Sequence, residues 1–301
     1  MTVPPAVRIT DVALRDGLQI QPRSVPTDTK LAILDGLLRA GIRSMEVGSF
    51  VHPRLVPQMA DAHEIFARLP TVPGAEMMAL VPNRRGAERA LAAGVDHVRI
   101  LLSCSEGHSK ANTNRTVDEG IAETRAVAER LRAGGSVRVT AAVATVFVCP
   151  FDGTVPTSQV DHVVGALVDM GLDEISLSDT LGRADPAHIA RTVTAMCAGY
   201  PTVTFGLHLH NTFGMGLANV VAGLEAGIKQ FDAALGGIGG CPFAPGAAGN
   251  IATEDVVFML ASMGVETGVD LDELARVAGD LSAALEGPLE SSVSRALGWV
   301  A

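Results

Sequence analysis

The chain has 301 residues, 48% of them hydrophobic and 19% charged, with a formal net charge of -10. That composition supports a large buried core and excludes an intrinsically disordered chain. It also excludes the broad basic face that nucleic acid requires, while leaving room for an anionic small molecule bound by a local basic cluster. No apolar run reaches the ~18 residues of a membrane span, and the first residues lack a basic-then-apolar signal pattern. The four cysteines, Cys104, Cys149, Cys197 and Cys241, show no paired spacing of a zinc knuckle or disulfide framework. A cytoplasmic protein with free thiols is expected.

Taken in chain order, short β-branched runs alternate with longer amphipathic stretches. Strands are predicted at Val7–Leu14, Ser44–Gly48, Glu76–Val81, His97–Leu102, Arg138–Val146, Glu174–Ser178, Thr202–Leu209 and Gln230–Leu235. Helices are predicted at Thr27–Ala40, Pro57–Arg68, Arg84–Ala93, Val117–Ala133, Ser158–Met170, Pro186–Ala198, Gly216–Ala226 and Thr253–Met263. Leu31, Leu34, Leu37 and Leu38 show the helical apolar spacing. Gly41, Gly94, Gly171 and Gly227 each follow a predicted helix, where a left-handed residue closes the last turn. Eight strand–helix units predict a parallel sheet, and eight is the number that closes a (β/α)8 barrel. The rival, an open doubly wound sheet, would prefer a glycine-rich phosphate turn after an early strand, where this chain has Arg15-Asp16-Gly17. One domain over 1–301 is expected, with the barrel at about 7–265 and one or two extra helices at about 266–301.

In such a barrel the chemistry sits where strands run into the following loops. Those places hold Arg15 and Asp16, Glu46, Ser178-Asp179-Thr180, His208-Leu209-His210-Asn211 and the segment GGIGGCPFAPGAAGN at 236–250. His208 and His210 are two apart on a strand and so share a face. Alone, the pair is either a ligand pair or a polar patch. With Asp16 and Asn250 converging on the same mouth it reads as a metal site. Mixed imidazole and oxygen donors suit Mg2+ or Mn2+, whereas a closed zinc site would use thiolate or a third histidine. Arg15 is either a structural partner of Glu46 or Asp179 or a cation that stabilises a developing oxyanion. Glu46 and Asp179 are either general bases or supports for these groups. Cys241, surrounded by glycines, is either an inert small residue or a thiol carried over the mouth by a loop. That loop lacks the G-K-[ST] ending of a phosphate cradle. His52 and His108 follow strands and are further candidates for lining the pocket.

The segments L-R-D-G-L-Q (14–19), S-F-V-H-P-R-L-V-P-Q-M-A-D (49–61), S-L-S-D-T-L-G (176–182), H-L-H-N-T-F-G-M-G-L-A-N (208–219) and 236–255 resemble the 3-hydroxy-3-methylglutaryl-CoA lyase family. The resemblance runs from about residue 8 to about residue 285, and the glycine–cysteine loop is its most specific part. It implies that Asp16, His208, His210 and Asn250 bind Mg2+ or Mn2+. It further implies that Arg15 polarises a thioester carbonyl, that Cys241 exchanges a proton, and that Glu46 and Asp179 are supporting or acid–base carboxylates. The reaction implied is retro-Claisen cleavage of 3-hydroxy-3-methylglutaryl-CoA to acetoacetate and acetyl-CoA, a step of leucine degradation. The partner is then an acyl-CoA, with no nucleic acid or membrane, in a homo-oligomer of two or four chains.

The chain departs from the family pattern at Val47-Gly48, Phe151, Leu209 and Asn211, and near Pro22 and Arg23. If these surround the acyl pocket, the substrate is another short thioester such as a citramalyl- or methylmalyl-CoA. Two further readings are a condensing synthase, which would not be expected to carry the glycine–cysteine loop, and a non-catalytic barrel, which would have lost at least one of the six key residues.

Overall fold

A computed structural model describes residues 3–240 and 249–299. Eight parallel strands form a closed barrel: β1 Arg8–Asp11, β2 Ser44–Ser49, β3 Glu76–Val81, β4 His97–Ser103, β5 Arg138–Ala144, β6 Glu174–Asp179, β7 Thr204–Leu209 and β8 Gln230–Ala233. They run in sequence order around the ring, and β8 pairs back to β1 through Arg8 opposite Gln230. The (β/α)8 expectation holds. The strands are almost wholly buried, and β2 and β6 are buried at every position. This is the signature of a parallel sheet covered outside by helices and filled inside by its own side chains.

Around the barrel lie α1 Thr27–Arg39, α2 Ala62–Ala67, α3 Arg84–Ala92, α4 Glu106–Thr113, α5 Val117–Gly134, α6 Thr157–Asp169, α7 Pro186–Gly199, α8 Gly216–Glu225 and α9 Thr253–Ser262. The four glycines predicted to close helices all have positive φ, between 72° and 102°. Two further helices, α10 Leu271–Leu285 and α11 Ser292–Ala296, supply the extra C-terminal helices expected. The first packs on α1 at Gly36, where an added Cβ would lie 2.6 Å from Val277.

Three local predictions need correction. The first strand stops at Asp11, and Ala13–Gly17 forms a π-helical turn that carries Arg15 and Asp16. Asp11 anchors this turn by accepting the Ala13 N–H at 2.9 Å. The predicted helix Pro57–Arg68 is broken into a single 3-10 turn at Pro57–Met59 and α2. Buried Lys30 is the cause: its ammonium donates to the Gln58 carbonyl at 2.5 Å and to Asp61 at 2.8 Å. Finally, α4 and a small antiparallel hairpin, Val148–Cys149 with Gly153–Thr154, were not expected.

Candidate active site

The strands' C-terminal ends open on one cavity, lined among others by Arg15, Asp16, Gln19, Arg99, His108 and Asn112 and, from the later strands, by Ser178, Thr180, His208, His210 and Asp232. The π-helical turn aims two consecutive side chains into this mouth, a frequent use of such turns at functional sites. His208 and His210 do share the interior face. Their Nε2 atoms are 3.2 Å apart, and Asp16 Oδ2 lies 3.9 Å from each. Asp16, His208 and His210 offer one donor atom each within 4.8 Å of one another. Neighbouring donors around an ion with ~2.1 Å bonds are about 3 Å apart, so the imidazole pair is spaced to share a small divalent cation.

Asn250 reaches the site through backbone pairing. Residues 249–251 run beside the end of β7, with the Asn211 N–H donating to the Gly249 carbonyl and the Ile251 N–H to that of Leu209. The Asn250 amide donates to Asp16 Oδ2 at 2.9 Å and to the Ile238 carbonyl at 3.1 Å, while its buried Oδ1 has no hydrogen-bond partner among the described residues. A buried carbonyl oxygen without a donor is what a cation would satisfy, so the donor set fits a divalent metal. Glycine is required at the neck of this segment. A Cβ on Gly239, at φ 128°, would lie 2.6 Å from the Asn250 amide, and one on Gly249 would meet the Gly239 backbone at 2.5 Å. Cys241 lies outside the described residues.

Arg15 donates to Asp16 at 2.6 Å and to Glu46 at 3.0 Å. Both readings of Arg15 thus meet, since its structural partners aim it while the residue still lines the cavity. Burial alone would raise the Asp16 carboxyl, but Arg15, His208 and His210 together hold it at about 2. Burial, then the neighbouring His208, lowers His210 to about 4, so its ring is neutral at physiological pH. Glu46 is fully buried behind Arg15 and does not line the cavity. Asp179 also stands behind the wall. It accepts the backbone N–H groups of Arg183 and Ala184, and burial raises it to about 6. Neither carboxylate lines the cavity.

Two groups escaped the sequence reading. Asp232, on β8, lies 3.3 Å from His208 Nδ1 and accepts from Ser176 at 3.2 Å. Burial opposes its ionisation, but Arg99 and His208 hold it below the usual carboxylate range. The anion faces Nδ1 of His208 and so turns the other ring nitrogen, Nε2, toward His210 and the cavity. Arg99, on β4, holds Asp232 in turn at 2.7 Å. His108 lines the cavity with its Nδ1 2.8 Å from Ser103 Oγ, whereas His52 serves its own loop by accepting the Arg54 N–H. None of Val47, Gly48, Phe151 or Asn211 is among the cavity-lining residues, contrary to the expectation for those departures. Asn211 instead accepts the Gly216 N–H at the start of α8 at 3.0 Å.

The rim is held from the C-terminal side. Glu254 at the start of α9 accepts the Gly236 N–H at 2.9 Å and the Ser294 hydroxyl at 3.1 Å, and the Glu290 N–H donates to the Gly236 carbonyl. Burial raises the Glu254 carboxyl to about 7.

A closed parallel barrel with two imidazoles, a carboxylate and a guanidinium at one mouth defines a barrel enzyme with a candidate divalent-metal centre. The chain belongs to the HMGL-like family, whose model matches residues 6–281. It is a carbon–carbon lyase of that family, and its similar relatives are named lyases. It is 44% identical to the (R)-citramalyl-CoA lyase of Chloroflexus aurantiacus, over 97% of this chain and 95% of that one. It is 38% identical to a hydroxymethylglutaryl-CoA lyase of Bacillus subtilis, over 97% of each chain. The B. subtilis HMG-CoA lyase crystal structure superposes with a TM-score of 0.95 over 99% of this chain and 100% of that one, at 37% identity. An Acinetobacter baumannii HMG-CoA lyase in complex with coenzyme A and 3-methylmalate gives 0.92, at 38% identity over 98% and 97% of the two chains. Among the described residues no helix is long and apolar enough to cross a membrane.

Proposed function

We propose that this lyase cleaves the C2–C3 bond of a short 3-hydroxyacyl-CoA carrying a free carboxylate, with Asp16, His208, His210 and Asn250 holding Mg2+ or Mn2+. The observation that carries the reading is the meeting of Asp16, His208 and His210 beside Arg15 at the cavity. Mg2+ or Mn2+ bound there would lower the pKa of the substrate hydroxyl and orient it. The mouth holds three carboxylates, the partly exposed Asp16 and the buried Glu46 and Asp232, against two guanidiniums, Arg15 and Arg99. A divalent cation turns that deficit into a single positive charge, which matches one substrate carboxylate.

We take Asp16 as the carboxylate that accepts the hydroxyl proton. It lines the cavity, whereas Glu46 and Asp179 stand behind the wall and Asp232 is committed to Arg99, Ser176 and His208. As C2–C3 breaks, C3 becomes a carbonyl and the electron pair passes into the thioester as an enolate. Arg15, buried and aimed by two carboxylates, stabilises the enolate oxygen. Protonation at C2, with Cys241 as the proposed donor, releases acetyl-CoA.

3-Hydroxy-3-methylglutaryl-CoA, giving acetoacetate, and (R)-citramalyl-CoA, giving pyruvate, are the two substrates to compare. The 44% identity to the citramalyl-CoA enzyme favours the second, and the larger number of hydroxymethylglutaryl-CoA lyase relatives the first. The test is acetyl-CoA release from both thioesters, and propionyl-CoA release from methylmalyl-CoA, with Mg2+ or Mn2+ and after exhaustive chelation. Metal-dependent release from one of them is expected, and a tenfold or greater difference in kcat/KM identifies the substrate. Release that is indifferent to chelation sinks the metal reading, and no release from any thioester sinks the substrate class.

A further inference from the structure

Arg99 projects from the middle of β4 into the barrel, where it helps line the cavity, and is 4% exposed. It stands between carboxylates from two other strands. Its guanidinium holds Asp232 of β8 through both terminal nitrogens, at 2.7 and 3.4 Å, and lies 3.6 Å from Glu46 of β2. Each carboxylate holds one working group of the mouth: Asp232 faces His208 Nδ1 at 3.3 Å, and Glu46 accepts from Arg15 at 3.0 Å. A continuous buried path therefore runs His208–Asp232–Arg99–Glu46–Arg15. Asp16 closes it into a ring, bonded to Arg15 at 2.6 Å and 3.9 Å from His208.

The geometry points to Arg99 as a positioning residue that sets the imidazole end and the guanidinium end of the mouth as one unit. This rests on the metal reading above. Two buried carboxylates brought together at the barrel axis repel each other, and a guanidinium between them fixes their spacing as well as their charge. With Arg99 absent, Asp232 loses its cation and is free to turn from His208, and Glu46 is left on Arg15 alone. The His208 ring then loses the partner that orients it, and Arg15 loses the anchor that aims it. Both ends are disturbed although Arg99 is neither a proposed ligand nor the group proposed to face the enolate. A packing role at the same place would disturb neither selectively.

The experiment is Mn2+ titration of the full chain, followed by electron paramagnetic resonance of free Mn2+ without substrate, for wild type, Arg99→Met, Asp232→Asn and the double variant. Arg99→Met keeps the stem and removes the charge, and it is expected to weaken Mn2+ binding about 10- to 100-fold, the scale of lost outer-shell support. The double variant is expected to bind like the weaker single one, because both substitutions cut the same path. At saturating Mn2+, Arg99→Met should still show a lower kcat through Arg15, and Arg99→Lys should recover part of both losses. Wild-type Mn2+ affinity in Arg99→Met overturns the proposal, as do losses that multiply in the double variant. Should Arg99→Met fail to fold, Arg99→Lys and Arg99→Gln carry the same comparison. Failure of wild type itself to bind Mn2+ sinks the metal reading instead, so the two failures are told apart.

Discussion

The two ends of the barrel use the same residue types to opposite effect. At the N-terminal end the first residues of four strands, Arg8, Glu76, Arg138 and Glu174, form a closed ring. Arg8 bonds Glu76 at 3.0 Å and Glu174 at 2.6 Å, while Arg138 bonds Glu174 at 2.7 Å and also Glu76. Two carboxylates meet two guanidiniums, and all four carboxylate oxygens are used. At the C-terminal mouth three carboxylates meet two guanidiniums, and among the described residues the buried Glu46 Oε1 and Asn250 Oδ1 find no donor. A ring balanced in charge and acceptors holds strands together and has nothing to offer a ligand. An unbalanced cluster is held open by the fold around it, and its surplus of acceptors is what a cation and a substrate complete.

The comparison breaks most visibly at Asp16. Asp16→Asn is expected to lower turnover by about 10³-fold or more, the several kcal/mol of a lost metal function, while lowering the melting temperature of metal-free protein only modestly. Turnover and a thermal melt on the same preparation check it, and a large fall in stability would show the surplus charge to be structural. Next in size, Cys241→Ala should cost about 10²-fold in turnover, the scale of a positioned proton donor. Cys104, buried and pushed up to about 12 by that burial, should accept Ala with a packing cost only. Near wild-type turnover in Cys241→Ala would remove the thiol from the reaction.

The third test concerns pH. Burial raises Asp11 to about 6, Asp179 to about 6 and Glu254 to about 7, so at these carboxyls the folded chain holds protons that the unfolded chain releases. Their contribution to stability is complete below about pH 4 and is lost as pH rises through 6 to 7. For Glu254 the rise from an ordinary 4.5 to about 7 corresponds to about 3 kcal/mol. Glu254→Gln should therefore match wild type near pH 4 and exceed it in urea unfolding above pH 7, and a constant difference across that range would refute the assignment. The smallest effect belongs to the other end. Glu174→Gln opens the ring between half-exposed arginines and is expected to cost about 1–2 kcal/mol, discounted for solvent screening, with kcat and KM unchanged. A change in kcat would mean that the ends are not independent.

The sequence made the barrel legible because its eight units repeat, and predicted strand limits lie within about three residues of the observed ones. The His-x-His pair was legible for the same geometric reason, a period of two on a buried strand. What stayed hidden depended on distant partners. The π-helical turn under Arg15 is held by Asp11, which also accepts from Leu235 and Thr253, residues far along the chain. The break in the second predicted helix comes from Lys30 on another element. Helix α4, E-G-H-S-K-A-N-T, has too few apolar residues to show a period. Arg99 and Asp232 did leave a signal, each being a charge inside an otherwise apolar strand, H-V-R-I-L-L-S and Q-F-D-A. A charge so placed needs a partner, and these two are each other's.

The hydrogen bond between Asp16 and Asn250 joins residues 234 positions apart, the first strand–helix unit to the last. At ~5–20 residues per second a ribosome takes roughly 10–50 s to make the stretch between them. The Gly236 rim is secured later still, when Glu290 and Ser294 arrive. The catalytic mouth is thus the seam along which the finished barrel is sewn shut. A nascent chain holding Arg15, Asp16 and both histidines still lacks Asn250, and translation halted before that residue yields a protein with most of its core and an unfinished centre. Moving the termini by circular permutation to a loop at the opposite side of the ring would make the seam an early, internal joint, and would reverse the order in which core and centre are completed.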